Sequence, residues 1–304
     1  MTLPGTQFVP DAPHSGTSLA ERLVTAPRLI APERAEATLA AWLAELVVDD
    51  RASIEAQLAA APLLATLLQS LSESSPFLWE LVSRQPDRLL RLLRSDPDRH
   101  FPHLLADTAR AVAAATDEAE AMRLLRGMKA EAALLIALAD IGGVWPVMQA
   151  ARALTELADT AVRAAVRFAL LEAARNGRIV PRNADEPERD SGYIVLAMGK
   201  MGAFELNYSS DIDLIVFFDA ASPRIAGDAE PAPVFVRITQ RVVKLLQTRT
   251  GDGYVFRTDL RLRPDPASTP IAISTAAAMA YYESVGQNWE RAAMIKARAC
   301  AGDT

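Results

Sequence analysis

Residues 193–218 read YIVLAMGKMGAFELNYSSDIDLIVFF, and the fold of the second half of the chain turns on this stretch. Its ends, residues 193–198 and 211–218, are short apolar runs rich in β-branched and aromatic side chains, which predicts two strands. Between them Gly199-Lys200-Met201-Gly202 follows the first strand directly. Two glycines at a strand end permit a tight turn and let main-chain N–H groups approach a phosphate, a weak signal when taken alone. Along the second strand Asp211 and Asp213 share one face, because side chains alternate, while Ile212 and Leu214 point to the opposite, apolar face. Two carboxylates one pleat repeat apart repel each other unless they are solvated or bridged by a cation, and hard oxygen ligands of this kind suit Mg²⁺. A solvated strand end, with Ser210-Asp211 as turn residues, accounts for the pair equally well.

A third run at residues 254–263 bears on that choice. Phe256, Thr258, Leu260 and Leu262 occupy one parity, and Arg257, Asp259, Arg261 and Arg263 the other. As a strand, this segment would present one carboxylate among three guanidiniums. On a bare surface such a ladder contributes little. Beside Asp211 and Asp213 it supplies a third metal ligand and bidentate donors for phosphate oxygens. Between the second and third runs, Pro233 is expected to open a helix reaching about residue 249. Lys296 and Arg298 alternate with Ile295 and Ala297, so a strand there would direct both cations to one side, either into the site or onto the surface.

Outward from this half, the chain changes character. Residues 1–17 mix Pro, Gly, Ser and Thr without periodicity, as a mobile tail does. From 18 to 180, Ala, Leu, Arg and Glu dominate and apolar residues recur at helical spacing, as in Leu39, Trp42, Leu43 and Leu46. Residues 117–139 and 151–175 read as the longest helices, with Asn176-Gly177 as a stop. The tract 181–191 is polar, acidic and proline-bearing, a linker or exposed loop ahead of a second domain at 190–304. The class is therefore α+β, a helical domain followed by a mixed sheet whose pairing sense the pattern leaves open.

Composition narrows the function. A net charge of −6 with an isoelectric point near 5.3 has the wrong sign for a chain that grips nucleic acid through phosphates. One cysteine, Cys300, permits no internal disulfide, and neither a leader nor an uninterrupted apolar span of about 18 residues is present, so a cytoplasmic protein without a membrane is expected. His14, His100 and His103 lack any metal-ligand pattern, and the four tryptophans are widely spaced, as core residues are.

Taken in order, YIVLAMGKMGAFELNYSSDIDLIVFFD, VFRTDLRLRP at 255–264 and NWERAAMIKARACAGD at 288–303 resemble the bacterial family of bifunctional glutamine synthetase adenylyltransferase/adenylyl-removing enzymes. The resemblance is close over about 190–303 and looser before it. It implies a nucleotidyltransferase fold of the polymerase-β-like kind, with a helical bundle that would follow beyond Thr304. It also implies two Mg²⁺ ions, with Mn²⁺ as a substitute, both held by Asp211 and Asp213 and one by Asp259. Gly199, Lys200, Gly202, Ser209 and Ser210 would lie against the phosphates of ATP, ADP or AMP, with Arg257, Arg261, Arg263, Lys296 and Arg298 as further donors. One copy behind a helical region resembles the half that removes AMP from glutamine synthetase with phosphate, releasing ADP. AMP addition from ATP, and a non-catalytic module that binds glutamine synthetase or a PII-type signalling protein, are the alternatives.

Overall fold

The computed structural model describes residues 17–303. The tail expected at 1–17 lies outside them except for Thr17, as does His14. Main-chain contacts divide the chain into two compact units, one running to Pro102 and including Ile141–Val144, the other comprising His103–Asp140 and everything from Trp145 onward. The sequence reading places its division at 181–191. The contact grouping instead puts the two longest helices with the sheet.

The first unit is built from short helices: α1 (Pro32–Glu45), α2 (Val48–Ala60), α3 (Pro62–Ser74), α4 (Pro76–Arg84), α5 (Pro86–Arg94) and the start of α6 (Pro97–Ala114). Proline begins α1, α3, α4 and α5. The ring fixes φ at a helical value where an N–H has no partner to lose, so each proline restarts a helix as the chain turns. Leu64, Leu67, Leu68, Leu89, Leu92 and Leu93 are buried in this unit, each worth about 1.5–3 kcal/mol in transfer from water.

In the second unit α7 (Glu118–Ile141) and α8 (Val147–Arg175) are the longest helices among the described residues. α8 ends as its sequence suggests: Asn176 is the cap, Gly177 takes φ +64°, and the N–H groups of Gly177 and Arg178 donate to the Ala174 and Ala173 carbonyls. That closure needs a left-handed residue, which glycine supplies without strain. The sheet elements are β1 (Tyr193–Ala197), a one-turn helix α9 (Gly199–Gly202), β2 (Ile212–Phe218), α10 (Pro231–Gln247), β3 (Thr258–Asp259), β4 (Ile273–Ser274), α11 (Thr275–Ser284), α12 (Asn288–Ala293) and β5 (Arg298–Gly302). Strand order is β3-β2-β1-β5, with β4 paired to the far end of β2.

The sheet is mixed. β1 is antiparallel to β2, with Tyr193 opposite Phe218 and Ala197 opposite Leu214, and also antiparallel to β5. β3 and β4 both run parallel to β2. One face of the sheet is closed by α10, whose Phe235 stacks on Phe218 at 5.0 Å and on Tyr193 at 5.8 Å, and whose Thr239 hydroxyl bonds the buried Tyr193 hydroxyl at 2.8 Å. Asp211, Asp213 and Asp259 stand on the other parity. No single helix among the described residues is long and apolar enough to cross a membrane.

Candidate functional site

The site begins where β1 turns into α9. Gly199 has φ +54°, and a Cβ there would lie 3.4 Å from Asp213 Oδ2, so the turn runs alongside that carboxylate. Met198 N–H donates to the Asp213 carbonyl at 2.9 Å and fixes the turn to β2. Gly202 has a different reason to be glycine. It is buried, and a Cβ would come within 1.8 Å of the Lys296 carbonyl oxygen. Close main-chain packing therefore accounts for Gly202 being glycine, while Gly199 lies beside the Asp213 carboxylate. Lys200 is exposed.

The carboxylates are set by register. In the parallel pairing of β2 with β3, Asp213 sits directly across from Asp259 and Ile212 across from Thr258, and the Ile212 N–H donates to the Arg257 carbonyl at 2.9 Å. Asp211 precedes Asp213 by one pleat repeat on the same side. Asp213 is half-buried, and its acid strength shows the crowding: loss of water, then the charges of Asp259 and Asp211, raise its pKa above the ordinary aspartate value. Asp259 moves the other way, chiefly because Arg261 hydrogen-bonds its carboxylate.

The arginines divide their work. Arg257 donates to Asp211, to the Ser209 carbonyl at 2.8 Å and to the Tyr254 hydroxyl at 3.2 Å. Arg261 lies on Asp259, with Nε 2.9 and 3.0 Å from the two carboxylate oxygens and its main-chain N–H 2.8 Å from Oδ1. Arg263 faces elsewhere: its guanidinium donates to the carbonyls of Leu260, Pro266, Thr269 and Pro270 at 2.8–3.1 Å and closes the loop after β3.

The third strand is thus far shorter than the alternation of residues 254–263 suggested. It covers Thr258 and Asp259 only, and residues 261–263 are turn and bend. β3 pairs with β2 alone, and beyond it Pro264, Pro266 and Pro270 offer no N–H to a neighbouring strand. The four-residue polar face becomes a one-carboxylate strand with its own arginine folded back on it.

A second correction concerns Lys296 and Arg298. A 3-10 turn at Met294–Lys296 interrupts the expected strand, so alternation does not carry through it. Lys296 Nζ bonds Glu205 at 2.8 Å. Arg298, the first residue of β5, grips the buried Asp159 of α8 with two bonds of 2.8 and 2.9 Å. It also donates to the Met201 and Gly202 carbonyls and lies 4.0 Å from the centre of the Phe204 ring. A guanidinium so engaged ties α8, α9 and β5 together. Ser210 is half-buried, and Ser209 takes φ +55° at the entrance to β2.

The donor set fits a hard divalent cation in kind and in register, since three carboxylates share a face and the central one is strained by its neighbours. In the conformation seen, however, no three His, Cys, Asp or Glu side chains among the described residues converge on a common point. The outer two carboxylates are turned onto Arg257 and Arg261.

Sequence reasoning missed the residues behind β3. Arg126 and Lys129 of α7 fall among residues that read as apolar core; Arg126 is 2% exposed, and the Lys129 ammonium lies 4.0 Å from the centre of the Phe256 ring. Asp140, near the end of the same helix, accepts from the Tyr208 hydroxyl at 2.9 Å. Cations inside an otherwise apolar helical stripe were the available signal.

Comparison with known proteins finds a match between residues 65–304 and the family model described as glutamate-ammonia ligase adenylyltransferase. Among curated proteins, one from Rhodopseudomonas palustris (strain HaA2) is 59% identical over 96% of this chain and 30% of its own length. One from Bradyrhizobium sp. (strain BTAi1 / ATCC BAA-1182) is 59% identical over 95% of this chain and 29% of its own, and one from Xanthobacter autotrophicus (strain ATCC BAA-1158 / Py2) is 52% identical over 94% and 29%. All three bear the name bifunctional glutamine synthetase adenylyltransferase/adenylyl-removing enzyme. The chain spans about 30% of the length of these relatives.

Proposed function

We propose, from the premise that this chain belongs to the glutamate-ammonia ligase adenylyltransferase family, that its β2–β3 face removes AMP from adenylylated glutamine synthetase. The observation carrying this reading is the parallel register that sets Asp213 beside Asp259, with Asp211 one pleat repeat away. Asp211 and Asp213 would hold two Mg²⁺ ions, and Asp259 one of them. When bound, the ions offset charge on the transferring phosphoryl group and on the departing oxygen.

In the reaction, an oxygen of inorganic phosphate attacks the AMP phosphorus, and the bond from that phosphorus to the tyrosine oxygen of glutamine synthetase breaks. ADP leaves, and the tyrosine oxygen recovers a proton. The chain contributes position and charge. Arg257 and Arg261, once released from Asp211 and Asp259, offer planar donor pairs suited to phosphate oxygens. The Gly199 turn keeps side chains away from the neighbourhood of Asp213, leaving room for the nucleotide. Removal, rather than addition from ATP, is favoured by the helical region that precedes the site.

The test supplies adenylylated and unmodified glutamine synthetase in parallel, with Mg²⁺ and either phosphate or ATP. Phosphate-dependent ADP release from the adenylylated form, abolished by Asp213→Asn, is the expected result. AMP incorporation from ATP without phosphorolysis would reverse the direction. Neither reaction, in a preparation that binds glutamine synthetase, would leave a binding module.

A further inference from the structure

Arg126 is buried on α7, far in sequence from the carboxylates, and all four of its hydrogen bonds go to main-chain carbonyls. One closes on its own helix, Nη1 to Met122 at 3.0 Å. The others leave the helix: Nη1 to Leu245 at 3.2 Å, Nη2 to Thr248, and Nε to Gly253 at 2.9 Å. Leu245 lies in the last turn of α10 and Thr248 caps it, where carbonyls lack helical partners and a cation is well placed. Gly253 closes a tight turn with Thr250 through reciprocal main-chain bonds of 2.9 and 3.0 Å.

From that turn the connection to the site is short. The N–H groups of Val255 and Phe256 donate to the Leu246 carbonyl at 2.9 and 3.1 Å, and the Arg257 carbonyl accepts from Ile212 at the mouth of β2. Three residues after Phe256 comes Asp259. A guanidinium can bridge three separated carbonyls because its donors are fixed in a planar fork, which an ammonium lacks. Burying it without a carboxylate is costly unless those bonds are made. Its burial depresses the Arg126 pKa, with Asp252 opposing.

We propose that Arg126 is the positioning residue for Asp259: it locks the α10–β3 connection in the one conformation that sets the Asp259 carboxylate opposite Asp213. This inference rests on the cation-dependent reading of the site. It extends the functional unit from the sheet to a side chain more than a hundred positions upstream.

The experiment compares wild type, Arg126→Lys, Arg126→Met and Leu170→Ala, the last removing a buried side chain from α8 as a general loss of core. Three readouts are taken: amide hydrogen exchange, Mn²⁺ affinity by calorimetry, and the AMP-removal kinetics. In Arg126→Lys, which keeps the charge, exchange should quicken at Thr250, Gly253, Val255 and Phe256 but not in β1. Mn²⁺ affinity and kcat should each fall at least ~10-fold, as when an outer support of a metal ligand is lost, with KM for adenylylated glutamine synthetase held within about 2-fold. Leu170→Ala should melt at least as early as Arg126→Lys and keep its Mn²⁺ affinity.

Wild-type binding of Mn²⁺ with unchanged binding in Arg126→Lys, or an equal loss in Leu170→Ala, overturns the assignment while leaving the cation site intact. A wild type that takes up no Mn²⁺ removes the cation reading, and this inference falls with it.

Discussion

β2 and β3 carry the three carboxylates side by side, yet they are held in place by opposite means. β2 has β1 along one edge, β3 and β4 along the other, and apolar side chains such as Phe218 packed beneath it on α10. β3 has one neighbour, two residues of ladder and, leading into it, a turn clasped by the buried Arg126 and a phenylalanine under the Lys129 ammonium. An apolar rear surface resists register slip, because shifting one residue would turn every side chain to the wrong face. A hydrogen-bonded clasp depends instead on each donor finding its acceptor, and losing one leaves buried carbonyls unsatisfied. Of the two carboxylate-bearing strands, β3 is therefore the more readily disturbed, and substitutions far from Asp213 can reach Asp259 more easily than Asp213 itself.

The strongest blow to this comparison would come at the centre of the carboxylate group. Asp213→Asn should cut the proposed AMP transfer by about 10³-fold, since the lost group lies between the other two carboxylates. On the proposed cation reading, Mg²⁺ should raise the melting temperature of the wild type and leave that of Asp213→Asn unchanged. Without metal, however, the variant should melt higher than wild type at pH 7. The folded-state pKa of Asp213 is raised by desolvation and by Asp259 and Asp211, so the ionised group is a burden above the ordinary carboxylate range, relieved as pH falls and the carboxyl protonates. The gain should vanish near pH 3. An equal or lower metal-free melting temperature at pH 7 would mean that Asp213 is better solvated than its place on β2 implies.

Asp259→Asn tests the weaker strand. Transfer should fall at least ~100-fold, as expected of a group acting chiefly while charge develops in the transition state. Melting without metal should change by no more than about 2 °C, because the partner Arg261 is largely exposed and such ion pairs contribute little. A variant that loses stability and keeps its single-turnover rate would make Asp259 a structural counter-ion.

Smaller still is the effect of opening the loop beyond β3. Arg263→Gln removes donors from four carbonyls, and because that loop is largely exposed, water can replace them at a net cost of about 1 kcal/mol. Transfer should decline less than about 10-fold, for Arg263 supports the loop rather than one of the three carboxylates. A loss matching that of Asp259→Asn would return Arg263 to the phosphate-binding role the sequence suggested.

How much could be read in advance follows the same division. The two strands of residues 193–218, the turn between them, the helix before β3 and the shared face of Asp211 and Asp213 were all legible, because their apolar residues coincide with real burial. Residues 254–263 alternate just as cleanly, but only Thr258 and Asp259 find a partner strand. Periodicity reports which side chains would share a face, not whether an edge exists to pair with. Arg298 shows the same limit in another form: its parity says nothing of Asp159, far upstream, which supplies the countercharge. Of the polar clasp behind β3 only the cations of α7 were visible in the sequence; their acceptors were not, since main-chain carbonyls leave no mark in the residue alphabet.

Lys129 offers the mildest and most specific probe of that clasp. Burial alone holds its pKa down to about 8, well under the ordinary lysine value, and the Phe256 ring is the aromatic face beneath it. A lowered value means that the folded chain binds fewer protons than the unfolded chain between about pH 8 and 10.5, so stability rises with pH across that window and the charged form burdens the fold at pH 7. The ring returns part of that cost through its attraction for the cation, an effect of about 0.5–2 kcal/mol. Lys129→Met keeps the length and apolar contact of the side chain without the charge. The variant should therefore melt slightly higher at pH 7, lose the upward slope of stability between pH 8 and 10.5, and transfer AMP within about 2-fold of wild type, because Arg126 still holds the turn. Melting curves across that pH range decide the matter. An unaltered slope would show that water reaches the ammonium, and that the rear of β3 rests on Arg126 alone.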